Sequence, residues 1–162
     1  MEIRIGLGQD CHRLAPGRRL ILGGVPISHE SGLAGHSDAD VLLHAITDAI
    51  LGAAGMGDIG EMFTNTDPQF HNANSGELLQ AAWRTVRERG WRLGNLDCTI
   101  SAERPKLTPH KPTIAARIAE LLEIPADRVN VKAKTGEGVG PVGRQEAMTA
   151  EAIVLLNREP TP

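Results

Sequence analysis

The sequence predicts one domain of the α/β class, α+β in type, in which a mixed sheet is packed with helices on one side. Three observations lead there. Period-two apolar alternation occurs near both ends of the chain and in its middle. Helical stripes alternate with those strands, an order that suits helices layered on a sheet. No repeat, linker or low-complexity tract divides the 162 residues, a length suited to one core. Residues 1–157 are expected to form the domain and residues 158–162 a short frayed tail.

The elements follow in order. Ile3, Ile5 and Leu7 alternate with Arg4 and Gly6, the pattern of a half-buried strand. Gly23-Gly24 between short apolar runs marks a hairpin or bulge over 20–27. The first strong helix is predicted from Asp38 to Ala54, with Ser37 or Asp38 as cap and Gly55 as terminator. Val41, Leu42, Ala45, Ile46, Ala49, Ile50 and Ala53 form its broad apolar stripe. After a polar loop, Asn74 and Glu77 have the spacing of a capping box for a helix to about Arg89, closed by Gly90. Leu96, Cys98, Ile100 and Ala102 alternate as a strand. Pro105, Pro109 and Pro112 stiffen the next loop, and Pro112 opens a helix that Pro125 stops. Val129, Val131 and Ala133 begin a strand, and Met148 to Leu156 read as a final strand.

Composition excludes several functions. A net charge of −3 lacks the basic excess of a nucleic-acid scaffold. Two Trp, two Phe and no Tyr give no stacking platform for bases. The apolar runs are too short and too charged to cross a bilayer, and Met1-Glu2-Ile3-Arg4 does not begin a signal peptide. Cys11 and Cys98 have neither metal-like spacing nor a disulfide framework, so a reduced, cytoplasmic setting is expected.

Four constellations carry chemistry. In Asp10-Cys11-His12 an extended backbone sends residues 10 and 12 to one face and Cys11 to the other. On the predicted helix Asp40, His44 and Asp48 recur every four residues and share a face. Asp10, His12 and His44 together offer two nitrogens and one oxygen, the set of a catalytic zinc site with an open position. Asp48, one turn from His44, is placed to orient the imidazole. The plainer reading makes these ordinary surface or core side chains. His36-Ser37 at a helix start adds a place for an anion.

The third constellation is the loop after Lys132. Gly138, Gly140 and Gly143 match G-x-G-x-x-G, but Pro141 interrupts the motif and no helix and second strand follow, so a dinucleotide fold is rejected. The loop reads equally as a solvated basic turn or as a phosphate-contacting loop. In the latter, Thr135 is a hydroxyl donor, Glu137 a metal ligand, and Lys132, Lys134 and Arg144 the charge. In the fourth, Gly57-Asp58-Ile59-Gly60 followed by 63–67, Asp58 either binds substrate hydroxyls or sits in an ordinary turn.

Taken together, these segments resemble the cyclodiphosphate synthase family of isoprenoid precursor synthesis. Asp10-x-His12, Gly35-His36-Ser37-Asp38-Ala39-Asp40-x-x-x-His44, Thr47-Asp48-Ala49, Leu51-Gly52-Ala53-Ala54, Gly57-Asp58-Ile59-Gly60, Pro105-Lys106-x-x-Pro109, Asn130-Val131-Lys132-Ala133, Thr135-x-Glu137 and Gly143-Arg144 match in order over residues 3 to 156. The resemblance implies a homotrimer with active sites between subunits and a small-molecule cytidine diphosphate substrate, without nucleic-acid or membrane partners. It implies one zinc per subunit on Asp10, His12 and His44, and magnesium or manganese bound with the substrate on Glu137. It implies catalytic roles for His36 and Thr135. Substrate contacts are implied at Asp10, Cys11, His12, His36, Ser37, Asp58, Ile59, Gly60, Phe63, Thr64, Asn65, Thr66 and Asp67. Further contacts are implied at Lys134, Thr135, Gly136, Glu137, Pro141 and Arg144, with a cytidine pocket of Ala102, Glu103, Arg104, Pro105, Lys106, Leu107 and Thr108.

Three positions depart from the family pattern. Asn65 stands where Asp is frequent, Pro141 where an aromatic is common near the trimer axis, and Gly136 where Thr or Asn is frequent, a change expected to loosen its loop. Two alternative functions remain at this point: a metal-dependent phosphoesterase using the same ligands with water, and a trimeric nucleotide-binding protein without turnover.

Overall fold

The computed structural model describes residues 1–35, 37–64 and 74–159. Its main sheet runs in the order β4-β1-β7-β5-β6. These strands are β1 (Glu2–Pro16), β4 (Ser31–Leu33), β5 (Arg92–Ser101), β6 (Val129–Lys134) and β7 (Ala147–Arg158). β5 and β6 are parallel and the other neighbours antiparallel, so the sheet is mixed as expected. The parallel pair needs a crossover, supplied by α4 (Lys111–Leu122), which packs on β6. β2 (Leu20–Leu22) and β3 (Val25–Ile27) form a separate hairpin, and Gly23 and Gly24 at its turn both have positive φ.

α1 (Val41–Ala54) lies across β1 and β7 and packs against α3 (Ser75–Glu88). Between them is the one-turn α2 (Ile59–Met62), and α5 (Gly140–Gly143) is another short turn before β7. The core fills the space between the helices and the inner rows of the sheet. One row reads Gly8, Ala152, Cys98, Val131, and the next Asp10, Ala150, Ile100, Ala133. Among the described residues no helix is long and apolar enough to cross a membrane.

Four local expectations change. The apolar side of β1 is its outer side: Ile3, Ile5 and Leu7 are 52%, 70% and 59% exposed, while Gly6 and Gly8 face the helices. A Cβ on Gly6 would lie 1.9 Å from Ala49 O, and one on Gly8 1.9 Å from Ala45 O. The strand therefore touches the backbone of α1, and only glycine permits that approach. α1 begins at Val41, not Asp38, because Asp40 is its cap, accepting from Leu42 N and Leu43 N. Asn74 caps α3 through Gly76 N, one position earlier than a capping box requires. Arg158, expected in the tail, is the last residue of β7, pairing with Glu2.

Candidate metal and phosphate site

Asp10 and His12 leave the inner face of β1 near its middle, and His44 leaves the first turn of α1 directly opposite. His12 Nε2 lies 2.9 Å from Asp10 Oδ2, His44 Nδ1 lies 3.0 Å from the same oxygen, and the two nitrogens are 3.1 Å apart. Among the described residues no other group of three His, Cys, Asp or Glu side chains comes together in this way. Cys11 is exposed on the far face, as its position predicted, and its backbone N–H donates to Asp10 Oδ1 at 2.8 Å. The close packing of Gly8 on Ala45 brings the strand and helix parts of this triangle together.

The hydrogen-bond partners determine which atoms face inward. His12 Nδ1 lies 2.8 Å from Ala34 O. A carbonyl only accepts, so Nδ1 carries the proton and neutral His12 presents the Nε2 lone pair to the triangle. His44 Nε2 lies 2.9 Å from Ser75 Oγ, whose own proton goes to Asp38 Oδ1, so His44 presents Nδ1 in the same way. Two lone pairs and a carboxylate oxygen at this separation need a shared positive charge between them, a proton or a metal ion. An ion bonded at about 2.0–2.1 Å to tetrahedral ligands sets them roughly 3.3 Å apart, so the donor set and its spacing fit a small divalent cation. The pKa shifts express the same demand. Burial alone would raise the Asp10 carboxyl, but its bonds to His12 and His44 outweigh that and hold it well below the ordinary carboxylate range. The bond to Asp10 raises His12 above its usual value, against the opposing effect of burial.

Asp40 is not part of the helical face on which its spacing put it. Fully buried, it accepts from Gly23 N at 2.9 Å and Gly24 N at 2.6 Å as well as from the two helix N–H groups. Burial pushes its carboxyl up to about 6, against backbone donors that favour the charged form. It thereby ties the β2–β3 turn to the start of the helix that carries His44. Asp48 also differs from expectation. It accepts Ile59 N–H at 2.8 Å and does not bond His44, whose two nitrogens are already engaged. Asp58 caps α2 by accepting Glu61 N–H at 2.9 Å, with Ile59 and Gly60 following in the helix.

The match to known proteins covers the whole of this architecture. A model described as the YgbB family matches residues 3–157. A Halalkalibacterium halodurans protein named 2-C-methyl-D-erythritol 2,4-cyclodiphosphate synthase is 57% identical over 154 residues, 95% of this chain and 98% of that one. The chain belongs to this cyclodiphosphate synthase family. Two solved family structures agree in fold. One is the bifunctional IspDF of Campylobacter jejuni, with 47% identity and a TM-score of 0.94, covering 98% of this chain and 43% of that longer one. The other is the CDP complex of Plasmodium falciparum IspF, with 34% identity and a TM-score of 0.86, covering 98% and 97%.

The remaining family positions divide into three groups. Ser37 Oγ sits 3.3 Å from His44 Nε2 and accepts Ala39 N–H at 3.0 Å, in a turn where Ala39 has φ of +56°. Phe63, at the end of α2, is buried, and Thr64 is exposed. His36, Asn65, Thr66 and Asp67 lie outside the described residues.

The third group gathers at the ends of β5 and β6. Ala102 N–H donates to Lys134 O at 2.9 Å, and Gly136 N–H donates to Glu103 Oε2 at 3.0 Å. These bonds hold the segment Ala102–Thr108, with its cis Arg104–Pro105 peptide, against the Thr135–Glu137 turn. Leu107 is buried beneath it, while Lys106 and Thr108 are exposed. Thr135 Oγ1 donates to Glu137 Oε1 at 2.6 Å. Gly136 does not loosen this loop: a Cβ there would lie 2.4 Å from Gly143 N, so the loop closes on itself through touching glycines. Pro141 lies in α5, and Arg144 just beyond it pairs with Glu146.

Within the chain this group lies across the sheet from β1, at the ends of β5 and β6. Asp10 and Ala133 share a row of the sheet but are three strands apart, about 14 Å at the usual strand spacing.

Proposed function

We propose that this chain converts 4-diphosphocytidyl-2-C-methyl-D-erythritol 2-phosphate into 2-C-methyl-D-erythritol 2,4-cyclodiphosphate and CMP. An oxygen of the 2-phosphate bonds to the β-phosphorus of the same molecule. The bond from that phosphorus to the bridging oxygen breaks, and CMP leaves with the electron pair. No water is consumed, and the nucleophile belongs to the substrate, so the protein needs no activated Ser or Cys. It must orient the two phosphates and neutralise developing charge.

The observation that carries this reading is the triangle of inward lone pairs on Asp10, His12 and His44, in a chain of this family. Those residues would hold one zinc per subunit, and Glu137 would hold magnesium or manganese arriving with the substrate. Bound there, the ions polarise the β-phosphate and offset phosphate charge. The chain's own groups do the positioning. Ser37 and His36 would grip the attacking phosphate, with His36 supporting the transition state. Thr135, now donating to Glu137, would turn its hydroxyl to the leaving phosphate. Asp58, Ile59 and Gly60 would meet the erythritol hydroxyls. The 63–67 segment, Cys11, Lys134, Gly136, Pro141 and Arg144 would complete the substrate contacts, and Asp48 would act only through the α2 turn it anchors. Residues 102–108 would receive the cytidine; a cytidine nucleotide as the ligand is supported by the CDP complex of the P. falciparum relative.

A homotrimer would join the two halves of the site. The exposed row of Ile3, Ile5, Leu7 and Ile153 supports burial of the outer sheet face between copies. The span of about 14 Å from Asp10 to the row end at Ala133 supports a partner's 102–108 and 135–137 loops completing each zinc site. The experiment is CMP release, followed by chromatography, from the substrate with zinc-loaded protein and magnesium. Release is expected in the wild type and absent in His44→Ala. Undiminished release from His44→Ala would remove the triangle from the mechanism.

A further inference from the structure

The side of His44 turned away from the triangle is held by residues without an assigned role. Ser75, the first residue of α3, is 1% exposed, and its hydroxyl oxygen lies 2.9 Å from His44 Nε2. That hydroxyl gives its single proton to Asp38 Oδ1, an atom that can only accept. Ser75 Oγ therefore meets His44 with a lone pair, and Nε2 must carry the proton between them. The lone pair of the neutral imidazole then falls on Nδ1, the atom 3.0 Å from Asp10 Oδ2. Asp38 is fixed in turn, accepting Ser75 N–H at 3.1 Å and Asp40 N–H at 3.3 Å. A carboxylate at the start of α3 also suits the helix dipole.

We propose that Asp38 and Ser75 form a positioning relay that sets the tautomer and ring orientation of His44 and so makes Nδ1 a metal ligand. The inference rests on reading Asp10, His12 and His44 as a divalent-cation site. The relay also frees Ser37. Its oxygen is the more distant neighbour of His44 Nε2, at 3.3 Å, and already accepts Ala39 N–H. With Ser75 accepting the imidazole N–H, the Ser37 hydroxyl proton stays available for a phosphate oxygen.

The test is zinc affinity of the full chain by competition with a chromophoric chelator, together with the visible spectrum of the cobalt-substituted protein. Ser75→Ala should bind zinc about 10- to 100-fold more weakly and alter the cobalt bands, with the melting temperature of the metal-free protein little changed. Ser75→Cys keeps the shape with a weak acceptor and should behave in the same way, which covers poor folding of either variant. If both variants bind zinc as tightly as wild type with an unchanged cobalt spectrum, while His44→Ala loses the metal, the relay is wrong and the metal site stands. If the wild type itself binds neither ion, the metal reading falls and the relay with it.

Discussion

Gly8 connects packing to chemistry most directly, because it lies two residues before Asp10 and against the residue that follows His44. A Cβ at this position would sit 1.9 Å from Ala45 O and 2.6 Å from Ala49 N. These are backbone atoms inside a helix, so no side chain can turn aside. A relaxed carbon–oxygen contact is about 3.3 Å, so Gly8→Ala must part strand and helix by roughly 1.4 Å. Were the whole opening passed on, the 3.0 Å separation of His44 Nδ1 and Asp10 Oδ2 would reach about 4.4 Å, against roughly 3.3 Å in a tetrahedral ligand set. Overpacking of this kind costs about 1–3 kcal/mol, or roughly 3–10 °C in a domain of this size. Zinc affinity should fall at least about tenfold. The control is Gly52→Ala on the same helix, where a Cβ meets nothing within 4 Å. It should gain about 0.5–1 kcal/mol and keep its zinc. Calorimetry and zinc titration of both variants decide the matter. A Gly8→Ala protein with wild-type melting and full zinc affinity would refute the argument that this contact sets the ligand spacing.

Three further outcomes are expected. Asp40→Ala removes the α1 cap and strands the buried N–H groups of Gly23, Leu42 and Leu43, so urea unfolding should show a loss of about 3–6 kcal/mol; a loss below about 1 kcal/mol would contradict the buried-acceptor account. For the metal-stripped protein, the bond to Asp10 raises His12 above its ordinary 6.5, so its stabilisation is complete below that pH and is lost as pH rises through the raised value. Melting temperature of the stripped protein should therefore drop above pH 6.5 while zinc binding tightens, and a stripped protein that gains stability over that range would count against the pairing. Ile5→Asp with Leu7→Asp places charge on the exposed sheet face; sedimentation should show monomers that retain zinc but have lost turnover, and an active trimer would rule out that face as the interface.

What could be read in the sequence was mostly local. Asp10 and His12 share a face because a strand alternates, and His44 falls on the inner side of α1 because the helix period puts it beside the apolar stripe. Those two regularities fix the faces from which the three side chains project, and the packing of Gly8 on Ala45 brings the faces together. The errors came from contacts distant in sequence. Asp48 has the right spacing to orient His44, but the bond comes from Ser75, 31 residues away on another helix. Asp40 looked like part of a polar face because its acceptor role depends on Gly23 and Gly24 in a remote turn. The inversion of β1 had a visible signal that apolar alternation hides. Gly6 and Gly8 two apart, matched by Ala45, Ala49 and Ala53 at helical spacing, mark a strand and helix in backbone contact. Gly136 likewise reads as a flexible position in isolation and as a packing position once Gly143 is seen against it.

The most direct test of the account is phosphorus NMR of the zinc-loaded protein with 4-diphosphocytidyl-2-C-methyl-D-erythritol 2-phosphate and magnesium. Resonances of the cyclic diphosphate and CMP should grow together in the wild type, and neither should appear in His44→Ala. CMP appearing beside a linear phosphate would show that water, not the substrate's own 2-phosphate, attacks the β-phosphorus, and would contradict the proposed cyclisation.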